Sequence, residues 1–338
     1  TATGLTAGTL YYFRVVAYKD ANESPASNVW DTYMKWTIDT TKAGSAADTF
    51  VLPVTANTGS YFVDWGDGGA EEEFTTTGNK SHTYAASGTY QIKVRGGLTA
   101  LAFSNSGDNL KLIYIDQWGN LKLSSCTHMF YGCFNMMGRY LDQPNTGAVT
   151  TMAFMFAKCI LFNQSVANFN TANVIAMNCM FSESGFNQSL ANFNTAKVID
   201  MNYMFRGSLF NQSVANFNTA KVQNFRNMFS GSNFKQSLAT FSLAAATNLT
   251  EMLLNCDINE AGTTNNYDAT LVAWAAADVP NSLNFHGGTS KYSDAGGGKA
   301  ARASLIADDL WTITDGGEDL DLITGLFEHN EPSIIYVK

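Results

Sequence analysis

The sequence predicts a mixed, β-rich protein whose central part is a solenoid of short repeats with parallel strands, closed by an α+β cap. Two columns of repeated residues carry this prediction. The motif Phe-Asn-Gln-Ser begins at Phe162, Phe186 and Phe210, and Phe234 begins a fourth copy with Lys in place of Asn. The pair Met-Phe begins at Met129, Met155, Met180, Met204 and Met228, and Met252-Leu253 closes the series. The spacing of 24 to 26 residues lies in the range of leucine-rich-repeat solenoids, in which each unit buries its apolar side chains against its neighbours.

The spacing of apolar residues changes within each repeat. The stretch from Phe186 to Phe193 is short and suits a strand, whereas the stretch from Val198 to Phe205 follows the i, i+3, i+6, i+7 spacing of a helical turn. Each repeat is therefore predicted to be a strand followed by a helical turn, with Thr195 as the cap of that turn.

The chain has 338 residues, which is long enough for several compact units. We predict segments at 1–40, 45–97, 98–256 (the repeats), 257–320 (the cap, with helices near 268–278 and 298–309) and 321–338 (a tail or the start of a further domain). Because a repeat stack needs covered ends, we expect the segment before it to cover one end and the cap the other. The sequence begins at Thr1 without an initiator Met, so we also expect further sequence upstream.

Composition excludes several classes of protein. Hydrophobic residues make up 45% and charged residues 14% of the chain, which excludes a disordered protein. No apolar run approaches the roughly 18 residues of a membrane span, so we expect no membrane insertion of this segment. The net charge is −9 and the basic residues of the repeats are spread singly, so nucleic acid is not an expected partner.

Amide and hydroxyl side chains form further columns in the repeats. Strand alternation places one set outward, where a flat polar surface would bind a protein or a glycan: Asn163, Ser165, Asn187, Ser189, Asn211, Ser213 and Ser237. These are the candidate binding residues. A second set is expected inward, as ladders in which each amide bonds to the same amide one repeat away: Gln164, Gln188, Gln212, Gln236, Asn168, Asn192, Asn216, Asn170, Asn194 and Asn218.

The pattern Val-x-x-Met-x-x-Met-Phe followed by Phe-Asn-Gln-Ser, as in residues 174–195 and 198–219, resembles the BspA-like leucine-rich-repeat surface proteins of bacteria. The segment 116–120 is similar to a degenerate first repeat of that family, and the segments 267–274 and 311–317 are similar to its closing cap. The resemblance implies a secreted or surface-displayed protein that adheres to or recognises a partner without catalysis.

Two further resemblances precede the repeats. Residues 4–18 with 23–28 are similar to the last two strands of a fibronectin type III domain. Residues 61–68, 82–84 and 88–94 are similar to motifs of a PKD-type domain at 45–97. Both resemblances imply immunoglobulin-like β-sandwich modules that serve as spacers in extracellular proteins.

The sequence contains no recognisable catalytic pattern. The four His residues are far apart, and no His-Glu-x-x-His, Gly-x-Ser-x-Gly or phosphate-binding loop occurs. We therefore predict no enzyme activity, no cofactor and no metal site, and we interpret Asp64 and Asp67 as turn residues, although such carboxylates also suit Ca²⁺. Cys133 and Cys159 fall in one column of adjacent repeats, where either a disulfide or a buried small residue fits.

The expected function is that of an extracellular, cell-surface protein that binds a surface receptor, a matrix protein or a glycan through the repeats. The alternative is a structural subunit of an ordered assembly, such as a phage fibre, a virion decoration protein or an extracellular filament, in which copies of the chain associate. An enzyme whose catalytic domain lies outside this sequence is a third hypothesis.

Overall fold

A computed structural model describes residues 33–259 and 265–319. Most of the predicted fibronectin segment at 1–40 and the predicted tail at 321–338 lie outside the described residues. The elements are β1 (Met34–Asp39), β2 (Thr49–Asp64), β3 (Glu72–Phe74), β4 (Gly78–Thr83), β5 (Thr89–Leu101), β6 (Leu112–Gln117), β7 (Met137–Gly138), α1 (Asn266–Ala275), β8 (Asn284–His286), α2 (Gly298–Ala307) and β9 (Thr312–Thr314).

The first seven strands form one mixed sheet in the order β3-β2-β5-β1-β6-β7, with β4 paired to the first half of β2. All its pairs are antiparallel except that of β6 with β7. Alternate side chains of the strands are buried, as Met34, Trp36 and Ile38 are in β1, which is typical of strands with one face on a core. Two packed sheets were expected for a sandwich at 45–97. Instead the hydrogen bonds connect these strands with β1, β6 and β7 in a single sheet, and the domain boundaries stay a prediction.

The predicted leucine-rich-repeat solenoid with parallel strands is wrong. The described chain is β-rich with a mostly antiparallel mixed sheet and two α-helices, and residues 139–259 contain no strand. The predicted strand at 186–193 and the predicted helical turn at 198–205 consist of turns and irregular backbone. In the predicted strand the Phe193 N–H closes a turn on the Leu190 carbonyl at 3.0 Å, and the predicted helical turn is interrupted by a left-handed residue. Cys179, Tyr203 and Asn227, which are equivalent residues of three repeats, have φ angles of 55°, 55° and 54°.

Backbone hydrogen bonds still join successive repeats. The N–H groups of Met201, Tyr203, Phe205 and Gly207 donate to the carbonyl oxygens of residues 224, 226, 228 and 230 at 2.8–3.0 Å. The residues between them close turns within their own repeat, as Met204 does with Met201 at 3.2 Å. Neighbouring repeats therefore share one bridge between single residues, such as Asp200 with Asn224, and no extended strand pair.

One hydrophobic core runs through the described residues, from Met34 in β1 to Ile313 in β9. In the repeats its centre is a stack of Phe rings. The ring centroids of Phe181 and Phe186 lie 4.0 Å apart, and Phe181 lies 5.9 Å from Phe205 of the next repeat with planes 6° apart. Aromatic pairs contribute about 0.5–1.5 kcal/mol beyond the burial of their surface, so each repeat is stabilised by its neighbours.

Both predicted helices of the cap are present close to their expected ranges. The Asn265 side chain accepts a hydrogen bond from the Asp268 N–H and so caps the start of α1. β8 and β9 pair in parallel, and the Leu253 N–H donates to the His286 carbonyl at 3.0 Å, so the cap bonds directly to the last repeat. Neither these helices nor any other helical segment within 33–259 and 265–319 has the length and apolar character needed to cross a membrane.

Candidate functional site

Exposed amide side chains form two columns on the surface of the repeats. Both columns flank buried Phe residues in the tripeptide Asn-Phe-Asn, so the Phe takes the inward position and the Asn residues face solvent. The expectation that these Asn side chains point inward is therefore wrong. We call the six residues the amide face: Asn168, Asn192, Asn216, Asn170, Asn194 and Asn218.

Side chains of the amide face bond to backbone groups rather than to the same amide in the next repeat. The Oδ1 atom of Asn194 accepts from the Ala196 N–H of its own repeat at 3.1 Å, and Asn170 and Asn218 make the same turn. The Nδ2 group of Asn216 donates to the carbonyl of Leu190, in the preceding repeat, at 3.0 Å. Within the described chain, the Nδ2 groups of Asn170, Asn194 and Asn218 have no protein acceptor, so they remain available to a ligand.

The candidate binding residues Asn163, Asn187 and Asn211 form a ladder between repeats. The Oδ1 atom of Asn187 accepts from the Asn211 N–H at 2.8 Å and from Nε2 of Gln212 at 3.1 Å. Asn163 and Asn211 make the equivalent pairs of bonds with the repeats that follow them. The expected Gln ladder is absent: Gln188, Gln212 and Gln236 donate to the Asn of the preceding repeat, and Gln164 donates to the Tyr140 carbonyl at 3.4 Å.

The candidate Ser residues lie at tight turns. Ser165, Ser189 and Ser213 are exposed and Ser237 is half-buried, and each Oγ accepts from the N–H two residues later at 3.2–3.3 Å. This turn fixes the backbone before the next buried apolar residue. The Ser hydroxyls therefore contribute to local structure on a polar surface.

A groove of about 680 Å³ opens at the start of the amide face. Its lining combines the turn at Gly119 and Asn120, the segment 141–147, and the amide-face residues Asn168 and Asn170. Gln143 and Asn145 lie 25 residues before Asn168 and Asn170, so they continue the two amide columns into the groove. Gln143 and Asn145 are not among the residues expected from the sequence to form columns, although this spacing is the signal that identifies them.

Partly buried hydrogen bonds hold the walls of the groove. The Asp142 carboxylate accepts from the backbone N–H groups of Trp118 at 3.0 Å and Gly119 at 2.8 Å. The buried Thr146 hydroxyl donates to the Asn170 carbonyl at 3.0 Å and accepts from the Asn170 N–H at 2.9 Å. The equivalent Thr171 makes the same two bonds with Asn194, so this Thr column joins repeats and does not cap helical turns as predicted.

Asp64 and Asp67 are both engaged by protein groups. Asp64 pairs with Lys93 at 2.8 Å; burial alone would raise the pKa of Asp64, but the bonds from Lys93 and the Gly66 N–H lower it. Asp67 accepts from the Gly69 N–H and from His82 at 2.8 Å, and both bonds lower the pKa of Asp67. Among the described residues, no group of three or more His, Cys, Asp and Glu side chains is arranged to hold a metal ion.

All five cysteines are buried free thiols. Cys133 and Cys159 are not joined by a disulfide, and the Cys159 Sγ instead donates to the Phe130 carbonyl at 3.1 Å. Burial raises the pKa of the Cys133 thiol well above its usual value. The column therefore holds a buried small residue, and the equivalent Ser184 and Ser208 donate to Phe carbonyl oxygens of their own repeats at 2.7 and 2.8 Å.

The comparison with known proteins gives a match to part of the chain. No curated protein and no solved structure matches the chain. Residues 100–208 and 180–267 match a family described as "Mycoplasma protein of unknown function, DUF285", so the similarity covers the repeats, the groove and the start of the cap.

Proposed function

We propose that this protein is a non-enzymatic recognition protein of the cell surface, which binds a surface receptor, a matrix protein or a glycan through the amide face. The observation that carries the proposal is the row of amide side chains that successive repeats present to solvent in equivalent positions. An amide group both donates and accepts hydrogen bonds. A rigid array of such groups therefore suits a polar ligand that spans more than one repeat.

The bonds made by the amide face support this proposal. Asn170, Asn194 and Asn218 are held by turns in their own repeats, and these turns use only their oxygen atoms. The turns hold the Nδ2 donors in place but do not use them in hydrogen bonds, and this preorganisation lowers the entropic cost of binding. The resemblance to bacterial surface proteins supports the extracellular location.

A second candidate function is that of a structural subunit that associates with copies of itself. The observation in its favour is a set of exposed aliphatic side chains in the repeats: Ile160, Leu161, Ile175, Ile199 and Leu209. Exposed apolar surface of this kind is typical of contacts between chains when it is contiguous.

Binding of the purified chain to arrays of purified matrix proteins and immobilised glycans tests the proposal. The test variant carries Asn194→Lys with Asn218→Lys, which places two long cations in one column of the amide face. The matched control carries Thr150→Lys with Gln223→Lys, which adds the same charge at exposed positions of a different column. Sedimentation of the wild type without a partner shows whether the chain associates with itself.

We expect the amide-face variant to lose captured ligand and the control to retain it, with both variants unfolding at the temperature of the wild type. If the wild type captures nothing on either array, the recognition function is wrong. If it instead sediments as large ordered particles, the assembly function replaces it.

A further inference from the structure

We propose, on the basis of the recognition function above, that the groove at the start of the amide face is a binding site for a neutral oligosaccharide. Its volume of about 680 Å³ lies within the range of about 300–1,000 Å³ that is usual for small-ligand sites. Its lining includes two successive members of each amide column, Gln143 with Asn168 and Asn145 with Asn170, so the groove extends over two repeats.

The polar groups of the groove match sugar hydroxyls. The side-chain amides of Asn120, Gln143, Asn145 and Asn168 line the groove and, within the described chain, make no hydrogen bond to protein. Each amide offers two N–H donors and an acceptor oxygen, and a hydroxyl both donates and accepts. A sugar ring therefore satisfies these groups without needing any charge on the protein.

The charge of the groove disfavours anionic ligands. Neither Lys nor Arg occurs among the residues that line it, all of which belong to the described chain. Its one ionisable side chain is the carboxylate of Asp142, which accepts from the Trp118 and Gly119 N–H groups. A phosphate, a sulfate or a sialic acid would meet no cation here and would face this negative charge.

The groove combines its amides with an apolar surface. Leu141 lines the groove and is 68% exposed, although Leu is usually buried in folded proteins. Sites for small ligands typically pair apolar contact with a few placed polar groups. The C–H face of a pyranose ring packs on Leu141 while its hydroxyls bond to the amides.

Backbone contacts in the groove favour a sugar over a peptide. A peptide bound as an added strand needs unpaired backbone N–H and C=O groups on the protein. In this groove the Asn145 carbonyl accepts from the Leu123 N–H at 3.2 Å, and the N–H and carbonyl of Asn170 are both bonded to the Thr146 hydroxyl. These three backbone groups are therefore not free to pair with a peptide strand.

Filling the groove with a side chain tests the proposal. A Cβ on Gly147 would meet only Nδ2 of Asn170, at 3.6 Å, which is ordinary contact, so Gly147→Trp is expected to fold with its indole ring in the groove. The matched control is Ala172→Trp, since Ala172 follows Thr171 as Gly147 follows Thr146. A second variant, Gln143→Ala with Asn145→Ala, removes two amides and leaves the groove open; its control, Gln223→Ala with Asn233→Ala, removes two exposed amides outside both the groove and the amide face.

The probes are immobilised neutral oligosaccharides built from glucose, galactose, mannose or N-acetylglucosamine, with sialylated and sulfated oligosaccharides as anionic counterparts. We expect the wild type and both controls to bind at least one neutral oligosaccharide and none of the anionic ones. Gly147→Trp and the double Ala variant are expected to weaken that binding at least about tenfold, as the loss of several hydrogen bonds implies.

Three outcomes overturn the proposal. The first is that no neutral oligosaccharide binds the wild type, and the second is that Gly147→Trp leaves binding unchanged. The third is that Gly147→Trp abolishes capture of an enzymatically deglycosylated matrix protein, which would make the groove a protein-binding site. In each case the recognition function stands if the wild type still captures a ligand on the arrays and Asn194→Lys with Asn218→Lys loses it. If that variant captures as much ligand as the wild type, both proposals are wrong.

Discussion

Replacing Asn187 with Ala is expected to destabilise the repeats, because this side chain holds the following repeat in place. Its Oδ1 atom accepts from the Asn211 N–H at 2.8 Å and from Nε2 of Gln212 at 3.1 Å. A hydrogen bond in a protein contributes about 0.5–1.5 kcal/mol net, and a donor left unpaired adds to the loss. Asn187 is half-buried, so water molecules can bond to part of the donors that lose their acceptor. We expect the free energy of unfolding to fall by about 1–3 kcal/mol.

A second substitution at the same position separates stability from binding. Asn187→Asp keeps an oxygen at the position of Oδ1, and an ionised acceptor makes stronger hydrogen bonds than a neutral one. We expect this variant to unfold within about 0.5 kcal/mol of the wild type. It nevertheless removes the Nδ2 donor and adds a negative charge, so any ligand bound at this column would be lost.

Urea denaturation followed by circular dichroism measures both variants, with Asn194→Ala as the control because Oδ1 of Asn194 accepts only from its own repeat. Equal urea midpoints for Asn187→Ala and the wild type would contradict the expected loss of stability. Equal instability of Asn187→Asp and Asn187→Ala would show that the acceptor oxygen is not the group that stabilises the repeats.

Three further predictions concern stability. Thr171→Val removes both bonds between the buried Thr171 hydroxyl and Asn194, so we expect thermal denaturation to show a free energy of unfolding about 1–3 kcal/mol lower. The control, Thr240→Val at an exposed position, is expected to be neutral, and equal melting temperatures for the two variants would contradict the prediction. Lys111→Met removes the ammonium group that lies 3.7 Å from the buried Asp108 carboxylate and so leaves that charge without its cation. We expect the free energy of unfolding to fall by about 3–5 kcal/mol, and a measured fall under about 1 kcal/mol would contradict this. Burial raises the pKa of Cys126 from 9.0 to about 12 and that of Cys256 to about 11. As the pH rises, these thiols therefore ionise in the unfolded chain before they ionise in the folded one. Their contribution to stability is full below pH 9 and is lost as the pH rises towards 11 and 12. Urea midpoints at pH 7, 9 and 10.5 should fall in that order, and Cys256→Ser should fall less steeply; parallel profiles for the two proteins would be evidence against the thiol contribution.

The sequence predicts which side chains pack together better than it predicts the backbone that carries them. The Phe and Met columns are buried as expected, because equivalent apolar residues of stacked repeats must meet. The strand is not present because the Phe193 N–H closes a turn on the Leu190 carbonyl, and the helical turn is not present because Cys179, Tyr203 and Asn227 adopt a left-handed conformation in their repeats. Nothing in the type of these residues except Asn indicates a positive φ angle, since Gly is the residue that usually signals it.

The candidate site was found only in part for a related reason. Strand alternation placed Asn170 inward, whereas the turns of each repeat turn Phe169 inward and both flanking Asn residues outward. The groove depends on contacts distant in sequence, because its walls form where the turn at Gly119 meets the segment 141–147. Periodicity within a repeat carries no information about such a contact.

Recurrence of a polar residue in stacked repeats has two physical causes, and hydrogen-bond partners distinguish them. An Asn that bonds to the next repeat, as Asn187 does, recurs because every interface between repeats needs the same bond. The Oδ1 atom of Asn194 bonds only within its own repeat, and a turn of this kind also forms with Asp and, more weakly, with Ser. Ser242 takes that place one repeat after Asn218, at 3.5 Å from the N–H of Ala244. What Asn adds at this column over Ser or Asp is therefore an amide donor directed to solvent, and that donor, which the fold does not use, is the group through which the column is expected to bind.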